Sequence, residues 1–80
     1  MTPDEERTDR MQDYLMTFST SAGKKVLEDL RKAYGDRTSF NSDPLVMAYN
    51  EGRRSVYLSI CYLMVQARQE KIEKKQTTAE

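Results

Sequence analysis

Glu51 stands beside Arg53 and Arg54, and Cys61 follows in the same run, "NEGRRSVYLSICYLM". An acid next to two guanidinium groups can pair internally, or the cations can grip a partner's carboxylate or a phosphate through their planar, forked donors. Cys61 would act as a nucleophile only beside a base, and none accompanies it. A thiol among Leu58, Ile60 and Leu63 reads as packing or contact. The chain contains no histidine, so the commonest general base and metal ligand is missing. Scattered aspartates and glutamates with one cysteine make no metal constellation. "AGKK", Ala22 to Lys25, ends like a phosphate-binding loop. It lacks the first glycine and the hydroxyl residue after lysine, and reads as the first turn of a helix. Five tyrosines could stack on bases, but they lie among aliphatic residues, which favours packing. The residues therefore predict no enzyme, no cofactor and no metal site.

A domain of 80 residues is marginal alone because it buries a modest share of its surface. With 38% hydrophobic and 32% charged residues the core is lean, which favours a partner or self-association. Basic and acidic side chains balance at 13 each, and the first forty residues hold seven basic and eight acidic. Neither half is a polycation, so a nucleic-acid-coating role lacks its electrostatic footprint. A single cysteine permits no internal disulfide, as suits a reducing compartment. The opening "MTPDEERTDR" has no apolar signal-peptide core, and export is not expected. The longest apolar block, Val56 to Val65 interrupted by Ser59, is about half of the roughly 20 residues that span a membrane. No membrane span is expected.

Three helices should position these groups. The first runs from about Pro3 to about Thr17. Thr2 caps it, proline stands at the first helical position, and Asp4, Glu5 and Glu6 suit the positive dipole end. Met11, Tyr14, Leu15 and Phe18 form its apolar stripe. The second starts at a Ser19 or Thr20 cap, with Phe18 folding back onto it. Ala22, Val26, Leu27, Leu30, Ala33 and Tyr34 face inward, and Lys24, Lys25, Arg31 and Lys32 face outward. Glu28 pairs with Arg31 or Lys32, and Gly35 closes the helix in the left-handed conformation. "GDRTSFNSDP" is loop chemistry, with Phe40 plugging the core. Asp43 then caps a third helix that starts at Pro44 and meets no stop before Lys75 except Gly52. The expected fold is all-α, a helical hairpin packed on a long third helix, in one domain over residues 1–75 with a frayed tail at 76–80.

Leu45, Ala48, Gly52, Val56, Ser59, Ile60, Leu63 and Ala67 share one face of the third helix. Glycine inside a helix costs about 1 kcal/mol relative to alanine, so Gly52 calls for compensation. One reading is close approach of another backbone along Ala48, Gly52 and Ser59; the other is a kink or break at Asn50–Gly52. Tyr57, Leu58, Cys61, Tyr62, Met64 and Val65 point away from that face. Two short helices can hardly surround a helix that is apolar all round. This second face, rich in Tyr and Met, is therefore a candidate protein interface.

"FSTSAGKKVLEDLRKAYG" followed by "NEGRRSVYLSICYLM" resembles a family of short proteins of tailed bacteriophages, typically encoded among the head genes near portal and capsid proteins. The positions concerned are Phe18, Ser19, Gly23, Lys24, Val26, Leu27, Leu30, Gly52 and Arg53. Ser21 stands where that pattern often has proline. The resemblance spans Tyr14 to Val65. It implies a helical protein of the virion or its assembly, present in the particle or, during assembly, in the host cytoplasm. It implies no catalytic residues. The partner would be a phage structural protein, a second copy, or both, in a portal-associated, internal or ejected role. The alternatives are a small packaging accessory that contacts nucleic acid through Lys24, Lys25, Arg31, Lys32, Arg53 and Arg54, and an inhibitor of a host protein.

Overall fold

The computed structural model describes residues 2–36, 38 and 40–78, with side chains as far as Glu70. The chain is all-α. α1 spans Pro3–Ser19, α2 spans Ser21–Leu30 and continues through a single wide turn, Arg31–Gly35, and α3 spans Pro44–Thr78. At about 1.5 Å per residue α3 is roughly 52 Å long, and it sets the longest dimension of the molecule, 55 Å.

The helix starts follow their capping residues. Thr2 Oγ1 accepts from the Glu5 N–H at 3.2 Å, and Pro3 leads α1. Asp43 Oδ1 accepts from the Leu45 N–H at 2.9 Å ahead of α3. Thr20 serves two helices at once. Its Oγ1 donates to the Thr17 carbonyl at 3.0 Å, at the end of α1, and accepts from the Gly23 N–H at 2.9 Å, at the start of α2. One residue thus makes the whole connection. The first turn of α2 is pressed against the last turn of α1, and Gly23 is buried there. A Cβ on Gly23 would sit 1.9 Å from the Thr17 carbonyl oxygen and 2.9 Å from Phe18 Cα. Glycine is needed at this position for space alone.

α1 packs on α3 and on α2. It runs antiparallel to α3: Thr8 Oγ1 donates to Glu70 Oε1 at 2.9 Å, and one turn later Gln12 Nε2 donates to the Ala67 carbonyl at 3.2 Å. Between these helices lies the core, Met11, Leu15, Met64 and Ala67, with Tyr14, Phe18, Leu27, Ile60 and Leu63 packed around it. The α1 stripe is the one expected. On α3 the buried face is turned by about one residue from expectation: Ile60, Leu63 and Ala67 face inward, but Met64 joins them while Val56 and Ser59 stay exposed.

The helical run ends at Gly35 as expected, but not in the left-handed conformation, because no glycine has a positive φ. The helix widens instead. The Asp36 N–H donates to the Arg31 carbonyl at 2.8 Å, five residues back, and the chain leaves in a right-handed conformation. The glycine answers a different demand. The Tyr57 ring lies on it, so a Cβ would be 2.6 Å from two ring carbons. Close approach among the described residues is found at Gly23, against backbone, and at Gly35, against a tyrosine ring. Gly52 has nothing within 4 Å of where its Cβ would be, and α3 passes through it unbroken.

The reason lies in where the covering helices stop. The wide turn ends at Gly35, opposite Tyr57, so the first turns of α3 project past it with no helix beside them. Leu45 is 82% exposed, and every residue from Asn41 to Tyr49, Ala48 included, is exposed. Phe40 does not plug the core; it is 76% exposed. Ala22 and Val26 also face solvent, while Leu27, Leu30, Ala33 and Tyr34 turn partly inward as expected. α3 remains helical to Thr78, beyond the expected end at residue 75, and residues 79 and 80 of the expected tail lie outside the described residues. Among the described residues no helix is long and apolar enough to cross a membrane.

Candidate protein-contact surface

Two apolar stripes of α3 remain uncovered. The first holds Leu45, Tyr49, Gly52, Val56 and Ser59, all exposed. Their spacing of four, three, four and three residues is that of a helix–helix seam. Gly52 and Ser59 keep this stripe shallow, and Ser59 turns its hydroxyl back on its own helix, donating to the Ser55 carbonyl at 2.9 Å. Among the described residues nothing requires glycine at position 52.

The second stripe is Leu58, Tyr62 and Val65, which are exposed on the face expected for contact. The other three members of that expected set are placed differently. Met64 is only 4% exposed and belongs to the core. Packing of α1 against α3 requires an inward side chain one turn before Ala67, and Met64 fills that place. Tyr57 is half-buried against Gly35, and Cys61 is half-buried beside it. A hydrogen bond with Cys61, reinforced by burial, pushes the Tyr57 phenol from 10.0 up to about 12. Cys61 therefore has a tyrosine for a neighbour, which offers it no base.

The basic residues divide into three kinds. Arg31 is held by Glu28 and by Asp36, with its Nε donating to Glu28 Oε2 at 2.9 Å. Those hydrogen bonds hold the Glu28 carboxyl below its ordinary range and raise the already high value of the arginine. Arg54 pairs with Glu51 at 3.2 Å. Lys24, Lys25 and Lys32 are exposed on α2 and the wide turn. Arg53 differs from all of these. Its guanidinium carbon lies 4.9 Å from the centre of the Tyr34 ring and 5.3 Å from that of Tyr49. Below it opens an apolar cleft of about 390 Å³ lined by Leu30, Tyr34, Tyr49, Arg53, Val56, Tyr57 and Ile60. The sequence marked Arg53 as a contact residue but gave no sign of the cleft. Tyr34 and Tyr49 are fifteen positions apart and meet only because the wide turn of α2 lies against α3.

The profile of the Bbp19-like phage protein family covers residues 14–76. The chain belongs to this family. No curated protein matches it, and no solved structure does. The match begins at Tyr14, so the acidic first turns of α1 lie outside it, while the Thr20 connection, the wide turn and most of α3 lie within. The features that shape the Bbp19-like fold here, Gly23 and Gly35 with the residues pressed on them, all fall inside the matched segment.

Proposed function

We propose that this Bbp19-like protein is a non-enzymatic component of a phage particle, or a factor in its assembly, that works by docking α3 on another phage protein or on a second copy of itself. The observation that supports this most directly is the uncovered seam Leu45–Tyr49–Gly52–Val56–Ser59. Its apolar residues stay largely exposed in the folded chain, and its glycine lowers helix stability with no return among the described residues. A partner helix seated on the seam would supply that return by close approach over Gly52. Family membership and the resemblance to proteins encoded among head genes favour a phage structural protein as the partner, in a portal-associated, internal or ejected role. The particle and, during assembly, the host cytoplasm are the corresponding locations.

The packaging alternative, contact with nucleic acid, has less support. It needs convergent free cations, and Arg31 and Arg54 are already paired with carboxylates. Inhibition of a host protein would use the same seam.

Phage carrying Val56→Glu test the proposal. Val56 is exposed, so the purified variant should keep the helicity and melting temperature of the wild type while particle yield collapses. Normal yield of normal particles from the variant would refute docking through this seam.

A further inference from the structure

The cleft beneath Arg53 suggests what the docked partner carries there. Among the described residues no carboxylate pairs with Arg53, although Arg31 has two and Arg54 one. Its position is fixed instead by two aromatic faces, each within cation–π range. A guanidinium held by rings keeps its N–H edges for another acceptor, and a planar fork of donors suits a carboxylate in two-point contact. Beside it the cleft walls are aliphatic: Leu30, Val56 and Ile60. On its other side Arg53 borders a smaller hollow of about 140 Å³ with Ala33, Tyr34, Thr38 and Asn50. Cation, apolar cavity and uncovered seam adjoin, since Tyr49 and Val56 belong to both seam and cleft.

We infer that the Arg53 cleft receives an acidic segment of a partner protein, with an apolar side chain entering between Leu30, Val56 and Ile60 and a neighbouring aspartate or glutamate carboxylate on Arg53. This rests on the docking role proposed above and adds the chemistry of the docked segment. Protein is favoured over nucleic acid for two reasons. The Arg53 guanidinium already lies against the Tyr34 and Tyr49 rings, so it competes with any base for stacking on them. A run of phosphates binds through several free cations rather than one, and Arg31 and Arg54 are already paired with carboxylates.

The test uses the full chain and four probes: the dipeptide N-acetyl-Leu-Glu-amide, its Leu-Gln twin, inorganic phosphate and a short oligothymidylate. Nuclear magnetic resonance follows the Arg53 Nε–Hε signal together with the methyl groups of Leu30, Val56 and Ile60. The Leu-Glu probe should move both sets of signals along one saturation curve. The Leu-Gln twin should bind about tenfold more weakly, because a charge-assisted, two-point contact is lost. Arg53→Lys keeps the charge and should erase most of that discrimination. Equal binding of the twins, or no movement with either, overturns the inference. Tighter binding of phosphate or oligothymidylate than of the Leu-Glu probe also overturns it, in favour of a phosphate site. The proposed function fails separately: a seam variant that assembles normally removes the docking role even if the dipeptides discriminate.

Discussion

Replacing Gly23 with alanine should damage this fold out of proportion to the one carbon added. The new Cβ would stand 1.9 Å from the Thr17 carbonyl oxygen, 2.8 Å from Thr20 Oγ1 and 2.9 Å from Phe18 Cα. Carbon at its contact optimum sits about 3.5 Å from a heavy neighbour, so the ends of α1 and α2 must separate by about 1 Å or more. Two of the three obstacles are backbone atoms and cannot rotate aside. Overpacking of this kind costs about 1–3 kcal/mol. Separation also strains the Thr20 cap, whose loss costs about 1 kcal/mol. Alanine returns about 1 kcal/mol of helix propensity. The net is a loss of about 1–3 kcal/mol, which in a domain of this size lowers the melting temperature by about 5–20 °C. Gly52→Ala is the matched control. It adds the same atom where nothing lies within 4 Å, so only propensity changes, and the melting temperature should rise by about 4–8 °C. Thermal melts followed by far-ultraviolet circular dichroism read both. A Gly23→Ala variant as stable as the wild type would refute the packed connection, and a destabilised Gly52→Ala variant would refute the open environment of that glycine.

Gly35→Ala should fall between these two, with a loss of about 1–2 kcal/mol as the Tyr57 ring is pushed off the wide turn, measurable as a shift of the urea midpoint. Met64→Ala should cost about 2–5 kcal/mol as a core truncation, whereas Leu58→Ala on the exposed stripe should stay within about 0.5 kcal/mol; chemical denaturation of the pair checks the turned face of α3. The raised Tyr57 phenol gives a pH dependence with a definite sign. Below pH 10 folded and unfolded chains both keep that proton. Above it the unfolded chain loses the proton first, so stability falls as pH rises from 10 to about 12. Tyr57→Phe should flatten that part of the alkaline decline, which melts at several pH values will show.

The helix starts were legible because they are local. Thr2 with Pro3, the pair Ser19–Thr20, and Asp43 with Pro44 each announce a start through their own side-chain and backbone chemistry, and the structure caps at Thr2, Asp43 and, of the pair, Thr20. The α1 stripe was legible for the same reason, since period alone picks out Met11 and Leu15. The face of α3 was not. That helix is apolar nearly all round, so its pattern leaves the inward direction open, and the direction is fixed only by α1 and α2 lying against it. Met64 was misplaced for this reason. The glycines illustrate the same limit. A mid-helix glycine in a sequence signals that something approaches, but Gly23 resembles a first-turn residue and Gly35 a helix stop, and each is explained only by Thr17 and Tyr57 respectively. Arg53 was marked by its charge; the ring pair that holds it depends on Tyr34 and Tyr49 meeting across two elements.

The most direct test of a phage-particle role is quantitative mass spectrometry of purified particles and of immature heads from the same infection. Such a role requires that the protein be present in at least one of them, in fixed proportion to the capsid protein, and that Val56→Glu reduce this proportion without unfolding the chain. Absence from both, with the protein abundant in the infected cell, would contradict it.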